Sequence, residues 1–353
     1  MNSDFYPLTV SETREEIGGL AKSVMFEVPQ NLAKIFAWRA GQHLSFRFDI
    51  DGDEVRRSYS ISSSPASGDP LRITVKRVKG GLVSNHINDT VEAGDVIEVM
   101  PPFGGFCLDP GETPRRTHYF FGAGSGITPI YSMLHSVLSA EPHSVAHLIY
   151  GNKNTSSIIF SEALDALVAE YDDGLSVQHV LSDPSWLSSS QYWRKGKIDA
   201  AAIEAAIAEN PPYAQDTQYY VCGPGDMNAA VKTALTDLDV PADRIHMESY
   251  GGAVETDESI KGTAARATIL LNGQSHSIEI AEGQTVLEAA RAANVSPPFS
   301  CQSGVCGACM AKLTSGSVHM RSHMALEDQE IAQGNVLTCQ SVATTPDLEL
   351  NYE

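Results

Sequence analysis

Residues 1 to about 110 alternate apolar and polar positions over short runs, as strands with one buried face do. Gly, Asp and Pro separate these runs, and one short helix is predicted at Leu82–Asn88. The predicted strands are Ser23–Val28, His43–Phe48, Arg56–Ile61, Leu71–Lys76 and Val96–Val99. This pattern favours an antiparallel barrel or sandwich.

From Arg116 the pattern changes to apolar runs that alternate with helical stretches. Strands are predicted at Thr117–Phe121, Ala146–Tyr150, Ser176–Leu181 and Gln218–Cys222. Helices are predicted at Ile130–Leu138, around Ser161–Tyr171, and at 199–208 and 226–238. Repetition of strand, loop and helix indicates a parallel sheet with helices on both faces.

A small, polar and unpatterned stretch at 251–265 is interpreted as a linker. After it, two apolar runs flank Asn272-Gly273, and this pair predicts a type I′ hairpin because the turn needs positive φ. A helix is predicted at Thr285–Ala293, before a cysteine-rich loop.

That loop contains Cys301, Cys306 and Cys309 in C-x₄-C-x₂-C spacing, and Cys339 follows 29 intervening residues later. Four thiolates suit two tetrahedral irons, and small residues let the loop fold closely around them. Structural zinc sites favour paired C-x₂-C units or His ligands, and a Rieske centre replaces two cysteines with His. Disulfides suit a short secreted chain better. The spacing therefore predicts a plant-type [2Fe–2S] cluster.

The 353-residue chain has a formal net charge of −20, and residues 251–353 are its most acidic part per residue. This charge argues against nucleic acid as a partner and suits steering toward a basic patch on another protein. Acidity that only keeps the protein in solution explains the charge equally well. We see no signal peptide and no run of eighteen apolar residues, so we expect no membrane span and a cytoplasmic location.

Two further patterns suit nucleotide cofactors. Arg57, Tyr59 and Ser60 offer a cation, an aromatic face and a hydrogen-bond donor on one predicted strand, and Gly80-Gly81 precedes a helix start that suits phosphate. Ordinary strand residues account for the first pattern about as well. A second glycine-rich turn, Gly122–Gly126, follows a strand, and we expect Thr128 to cap the next helix with Pro129 in its first position.

Cys222 ends the last predicted parallel strand, where it either faces the same crevice as Thr128 or is a small buried apolar residue. Cys107 has no partner spacing, and we interpret it as structural or incidental.

The order of the motifs is R-x-Y-S, G-G-L-V-S, G-x-G-S-G-I-T-P, C-G-P-G-x-M and the four cysteines. It resembles the ferredoxin–NADP reductase superfamily with a plant-type ferredoxin domain fused at the C-terminus, and within it the oxygenase reductases of the phenylacetyl-CoA epoxidase group. The resemblance covers nearly the whole chain. It implies an FAD-binding antiparallel β-barrel at 1–112, an NAD(P)-binding α/β domain at 113–250, and a β-grasp ferredoxin domain at 266–353 after the linker.

The resemblance also implies site residues. FAD would be held by Arg57, Tyr59, Ser60, Gly81, Leu82, Val83 and Ser84. Ser60 would lie near flavin N5, and Gly124, Thr128 and Cys222 would line the nicotinamide site. Met247–Tyr250 resembles the closing segment of the family, in which Glu248 approaches the active site and Tyr250 covers the flavin. Ser60, Cys222 and Glu248 are thus the predicted catalytic residues, and the four cysteines are the predicted cluster ligands.

The loops that match the 2′-phosphate site contain Lys153 and Ser182-Asp183. Phosphate-binding members often place Arg after that Ser. Here Asp183 would repel a phosphate and accept from a ribose hydroxyl, although Lys153, Arg194 and Lys197 would attract one. We therefore expect NADH slightly more than NADPH.

As a whole, the resemblance implies that NAD(P)H gives a hydride to FAD and that single electrons pass through the cluster to an oxygenase, of di-iron or Rieske type. Two alternatives stay open. The electron-transfer subunit of a dihydroorotate dehydrogenase has the same cofactors, but its last cysteine follows the third closely. A non-catalytic redox sensor would have no need of Ser60, Cys222 and Glu248 together.

Overall fold

The computed structural model describes residues 5–184, 193–249, 257–326 and 328–352. They form three units in chain order, built on an antiparallel, a parallel and a mixed sheet. Each unit has apolar core residues of its own. Within these ranges, no helix is both long and apolar enough to cross a membrane.

The first sheet is antiparallel and closes into a barrel. Its strands are β1 (Tyr6–Glu16), β2 (Ala21–Glu27), β3 (His43–Ile50), β4 (Asp53–Ser60), β5 (Leu71–Lys76) and β6 (Val96–Val99). They lie in the order β4-β3-β6-β1-β2-β5, and a backbone bridge from Ile61 to Ile73 joins the two edges. The helix α1 (Leu82–Thr90) packs against β5.

Strand β1 was not predicted, because its sequence shows little alternation of apolar and polar residues. Only Leu8 and Val10 are buried, while its second half is charged. Pairing with β2 and β6 forms this strand despite its weak alternation.

The second sheet is parallel throughout. Its strands are β7 (Arg116–Ala123), β8 (Val145–Asn152), β9 (Leu175–Leu181), β10 (Arg194–Lys195), β11 (Asp216–Gly223) and β12 (Ile245–Ser249). The helices are α2 (Ile127–Ala140), α3 (Ser161–Glu170), α4 (Ala200–Glu209) and α5 (Gly225–Asp237). The strand order is β10-β9-β8-β7-β11-β12, so the chain reverses direction across the sheet between β7 and β11. Ligands of such sheets bind at the carboxyl ends of the strands beside this switch point.

The predicted start of α2 is wrong. The helix begins at Ile127 with Gly126 in the cap position, so Thr128 is its second residue and Pro129 its third. A 3₁₀ turn over Gly124–Gly126 leads directly into the helix, and the Thr128 hydroxyl donates to the Ser125 carbonyl instead of capping. Pro129 is tolerated because the first helical N–H groups have no intrahelical acceptor.

The third sheet has the order β14-β13-β19-β15-β17, in which β13 and β19 are parallel. Its strands are β13 (Ala265–Leu271), β14 (Gln274–Ile280), β15 (Met310–Ser315), β17 (Asn335–Leu337) and β19 (Asp347–Asn351). A second small sheet pairs β16 (Val318–Met320) with β18 (Ser341–Ala343), and the helices are α6 (Val286–Ala292) and α7 (Asp328–Ala332). Positive φ at Asn272 and Gly273 confirms the predicted turn.

The described part of the predicted linker lies against the third unit. Residues 257–264 form no helix or strand, and β13 begins at Ala265, one residue before the predicted boundary. The Asp257 N–H donates to the Arg321 carbonyl at 2.8 Å, and the Thr263 N–H donates to the Ala343 carbonyl at 2.8 Å. This stretch is therefore packed on the third unit.

Candidate functional site

A single cleft of about 1400 Å³ has walls from all three units. The predicted site residues that line it are Arg57, Tyr59, Ser60, Gly81, Leu82, Val83, Ser84, Gly124, Thr128, Lys153, Glu248, Cys301 and Cys306. Asp183, Cys222, Cys309 and Cys339 are not part of the lining, and Tyr250 lies outside the described residues.

The barrel wall carries the predicted flavin residues on adjacent positions of β4. Ser60 is buried, and burial raises the pKa of Tyr59 to about 12, so its phenol stays protonated at neutral pH. Arg57 is exposed and forms no ion pair within the part of the chain that the structure describes. Among the described residues no side chain caps the start of α1 at Gly81, and the first residues of this helix line the same cleft. A cation beside a free helix N-terminus suits a pyrophosphate.

His43 is a residue of this wall that sequence analysis did not single out. It lies opposite Ser60 on β3, is 5 % exposed, and burial lowers its pKa to about 4. Its Nε2 is buried without a hydrogen-bond partner among the described residues. His43 lines the cleft, and a ring nitrogen there without a protein partner fits a cofactor with polar ring edges, because an unpaired polar atom is otherwise costly. The only indication of a role for His43 is that it pairs with Ser60 across β3 and β4.

The second unit forms another wall of the cleft, at the carboxyl ends of β7, β11 and β12. Cys222 and Glu248 are in register on β11 and β12, and the Cys222 thiol lies 4.0 Å from Glu248 Oε2. Cys222 is fully buried, whereas Glu248 lines the cleft. A Cβ at Gly126 would lie 2.0 Å from the Cys222 carbonyl oxygen. This glycine is therefore needed for close packing of the turn on β11.

Lys76 is a second residue of the cleft that sequence analysis did not assign. Burial lowers the pKa of its amino group, and a Cβ at Gly124 would lie 3.6 Å from Lys76 Nζ. Gly124 itself has a φ of +54°, and the Tyr150 hydroxyl donates to its carbonyl at 2.9 Å. The end of β5 thus places a cation against the glycine turn that follows β7.

The cations near the expected 2′-phosphate loops have acceptors of their own. Lys153 Nζ lies 3.8 Å from Asp183 Oδ2, and Lys197 Nζ lies 3.1 Å from Asp226 Oδ2. Arg194 donates to the Ala201 carbonyl at 2.8 Å. Each of these side chains already contacts a carboxylate or a carbonyl, which disfavours binding of the 2′-phosphate of NADPH.

The four predicted cluster ligands are free cysteines that form two pairs. A hydrogen bond between the thiols of Cys301 and Cys306 lowers the pKa of Cys301 and raises that of Cys306. Cys309 and Cys339 share a similar bond and lie in one apolar cluster with Phe299. The backbone N–H groups of Cys301 and Ser303 donate to sulfur at 3.5 and 3.4 Å.

This donor set fits a binuclear cluster better than a single ion. In the part of the chain that the structure describes, no three His, Cys, Asp or Glu side chains converge on one ion. Two thiolate pairs match two irons with two protein ligands each, and the N–H groups directed at sulfur are typical of iron–sulfur loops. Positive φ at Gln302, Gly304 and Gly307 produces the tight loop.

Three family models match in the same order as the three sheets. The oxidoreductase FAD-binding domain matches residues 8–107, the oxidoreductase NAD-binding domain matches 120–233, and the 2Fe-2S iron-sulfur cluster binding domain matches 269–344. These matches confirm the predicted cofactors, which are FAD, a nicotinamide nucleotide and a [2Fe–2S] cluster.

Similar proteins cover the chain almost completely. One component of 1,2-phenylacetyl-CoA epoxidase from Escherichia coli K12 is 31% identical over 99% of this chain and 98% of that protein. The ferredoxin reductase component of 3-ketosteroid-9-alpha-monooxygenase from Rhodococcus rhodochrous is 34% identical over 98% of this chain and 96% of that protein. Among solved structures, phthalate dioxygenase reductase superposes with a TM-score of 0.60 at 25% identity and covers 98% of each chain.

Proposed function

Because the chain belongs to the family of oxygenase reductases that join FAD-binding, NAD-binding and [2Fe–2S] domains, we propose that it oxidises NADH and delivers electrons singly to an oxygenase. FAD, when bound, takes two electrons as a hydride and releases them one at a time, as a [2Fe–2S] centre requires.

One observation carries the proposal: the residues expected at flavin, nicotinamide and cluster line the same cleft. Ser60 on the barrel, Thr128 beside the parallel sheet and Cys301 on the cysteine loop belong to three different units. The flavin must lie near both the hydride donor and the cluster that accepts single electrons, and a shared cleft meets both needs.

Within this cleft the barrel residues bind and orient FAD. Arg57 and the start of α1 would hold the pyrophosphate, and Tyr59 would offer an aromatic face to the ring system. The Ser60 hydroxyl would hydrogen-bond to the polar edge of the ring, and His43 would lie beside it in the same wall of the cleft. His43 is neutral at pH 7, because its pKa is about 4.

The parallel sheet positions the nicotinamide nucleotide. Gly124 lets the backbone approach it, Lys76 balances its pyrophosphate charge, and Thr128 with Glu248 shapes the nicotinamide end. Cys222 supports Glu248 from behind through the contact at 4.0 Å. The ion pair of Lys153 with Asp183 supports a preference for NADH, since Asp183 can accept from a ribose hydroxyl and repels a phosphate.

The acceptor is the oxygenase component of the same system, by analogy with the named relatives. The net charge of −20 supports a basic docking surface on that partner, with association that slows as salt rises. The reaction needs NADH and reduced cysteines, both of which the cytoplasm supplies, and we place the protein there.

The test is anaerobic mixing of the purified holoprotein with NADH or NADPH in a stopped-flow spectrometer. The proposal expects flavin bleaching, then cluster reduction, and faster bleaching with NADH. An oxygenase recovered from the native extract at low salt should turn over with NADH only when this protein is added. Absence of bleaching with either nucleotide would favour the redox-sensor alternative.

A further inference from the structure

The face of β3 and β4 that carries His43 and Ser60 continues toward the cysteine loop. On β3 and β4 the cross-strand pairs His43 with Ser60, Ser45 with Ser58, and Arg47 with Arg56 share this face, because strand side chains alternate. His43, Ser60 and Ser58 line the cleft, and Arg47 and Arg56 lie further along the strands. The face therefore leads away from the expected flavin site.

The middle of this face contacts the residue before the first cluster cysteine. Ser58 Oγ donates to Ser300 Oγ at 2.9 Å, and Ser58 Oγ and Ser45 Oγ are 2.8 Å apart. Ser300 is 1 % exposed and directly precedes Cys301, which lines the cleft. A short hydroxyl contact thus joins the flavin-binding strand to the cluster loop.

The far end of this face contacts an aromatic ring of the third unit. The Arg56 guanidinium lies 4.0 Å from the centre of the Phe299 ring, and Arg291 of α6 lies 4.5 Å from the same centre. Phe299 is 6 % exposed, so its ring is enclosed. Arg56 is held in place by Glu54, whose Oε1 accepts from Arg56 Nε at 2.9 Å. One ring is thus held by cations from two units, an arrangement that strengthens as water is excluded.

We propose that Arg56 and Ser58 are positioning residues that hold Cys301 against the flavin-binding strand and so set the rate at which electrons reach the cluster. The inference rests on the proposed function. NADH oxidation supplies two electrons and a [2Fe–2S] centre accepts one at a time, so a one-electron acceptor is reduced twice per NADH. Electron transfer slows steeply with separation, and these contacts hold the loop beside β4.

The inference is tested by comparing Arg56→Ala, Arg56→Lys and Phe299→Leu with the wild type in anaerobic stopped-flow experiments. Arg56→Ala and Phe299→Leu are expected to slow cluster reduction about fivefold or more, with flavin bleaching by NADH within about twofold of wild type. Arg56→Lys keeps a cation over the ring and should recover much of the rate. Ser58→Ala, Ser300→Ala and the double variant should slow the step to a similar extent, because they remove the same bond.

Arg47→Ala is the matched control. Arg47 pairs with Arg56 across the strands, and its ion pairs are with Glu54 and Glu98 of the barrel. Cluster reduction in this variant should match the wild type. The electron paramagnetic resonance spectrum of dithionite-reduced Arg56→Ala should also match, which shows that its cluster is assembled.

A readout independent of turnover is amide hydrogen exchange. Arg56→Ala should speed exchange in peptides that cover residues 299–306, whereas Arg47→Ala should not. Unchanged cluster reduction in both Arg56→Ala and Phe299→Leu would overturn the inference, as would a failure of Arg56→Lys to exceed Arg56→Ala. Failure of the proposed function has a different signature, since the wild type would then show no flavin bleaching.

Discussion

Arg57 is the residue whose surroundings most directly indicate a bound anion. Its neighbours on β4 are fixed by burial or by ion pairs, whereas Arg57 donates to the Arg56 carbonyl at 2.7 Å and leaves the rest of its guanidinium toward the cleft. A charged guanidinium on phosphate contributes about 1.5–3 kcal/mol.

Arg57→Ala should therefore yield protein depleted of FAD, with affinity for added FAD about tenfold lower or more. Flavin content after gel filtration and fluorescence titration with FAD measure this effect. Arg47→Ala, a loss of positive charge from the neighbouring strand, is the control and should keep its flavin. Full flavin occupancy in Arg57→Ala contradicts the assigned role.

Asp183 decides the expected nucleotide preference through its charge. Asp183→Arg should raise the ratio of kcat/KM for NADPH over that for NADH by about tenfold, because Arg pairs with phosphate and the ion pair with Lys153 is lost. Asp183→Asn, which only removes the charge, should move the ratio less in the same direction. An unchanged ratio in Asp183→Arg shows that this loop does not meet the ribose.

His43 links the cleft to the pH dependence of stability. Its pKa is about 4 in the folded protein against an ordinary 6.5, so between these values only the unfolded chain binds the proton. Stability from this group is complete above pH 6.5 and is lost as pH falls toward 4, by at most about 3 kcal/mol. His43→Asn should make the free energy of unfolding fall less steeply over that range in urea titrations. Parallel profiles for variant and wild type would refute this account.

Among the elements, α6 has the clearest local cause. Thr285 Oγ1 accepts from the Glu288 N–H at 3.2 Å, and the Glu288 carboxylate accepts from the Thr285 N–H at 2.9 Å. This reciprocal cap holds the start of a helix that packs on β14 and precedes the cysteine loop.

Thr285→Ala should lower the stability of the third unit by about 1 kcal/mol, because the Glu288 N–H loses its side-chain acceptor and the reciprocal cap is broken. Thermal unfolding followed by the visible spectrum of the cluster measures the change, and Thr285→Ser is the control that keeps the hydroxyl. Equal midpoints for the alanine and serine variants would show that the cap contributes nothing.

An element could be predicted when the sequence pattern that specifies it lies within a few neighbouring residues. The Asn272-Gly273 hairpin and the strand at Leu71–Lys76 were predicted correctly because turn chemistry and alternation are read within a few residues. Strand β1 and the start of α2 were not, since partner strands form the first and a 3₁₀ turn shifts the second. His43 has a place in the site through strand pairing within the barrel, and Lys76 has one through packing between units.

At the scale of the whole molecule, the three units share one cleft rather than forming three separate sites. The cysteine spacing predicts the cluster from sequence alone, but its distance in the chain from Ser60 hides the fact that both line one cleft. The Ser58–Ser300 contact joins residues 242 positions apart. Long-range pairing of this kind has no local signal, and only the folded structure reveals it.

The central claim is that electrons enter at the flavin and leave through the cluster. Anaerobic stopped-flow of Cys301→Ser with NADH, followed by reduction of cytochrome c, tests it most directly. The control is Cys107→Ser, which changes a cysteine that donates to the Gly104 carbonyl and lies outside the loop. The account predicts wild-type flavin bleaching in both variants, with cytochrome c reduction lost only in Cys301→Ser. Loss of flavin bleaching in Cys301→Ser, or full cytochrome c reduction by it, would contradict the account.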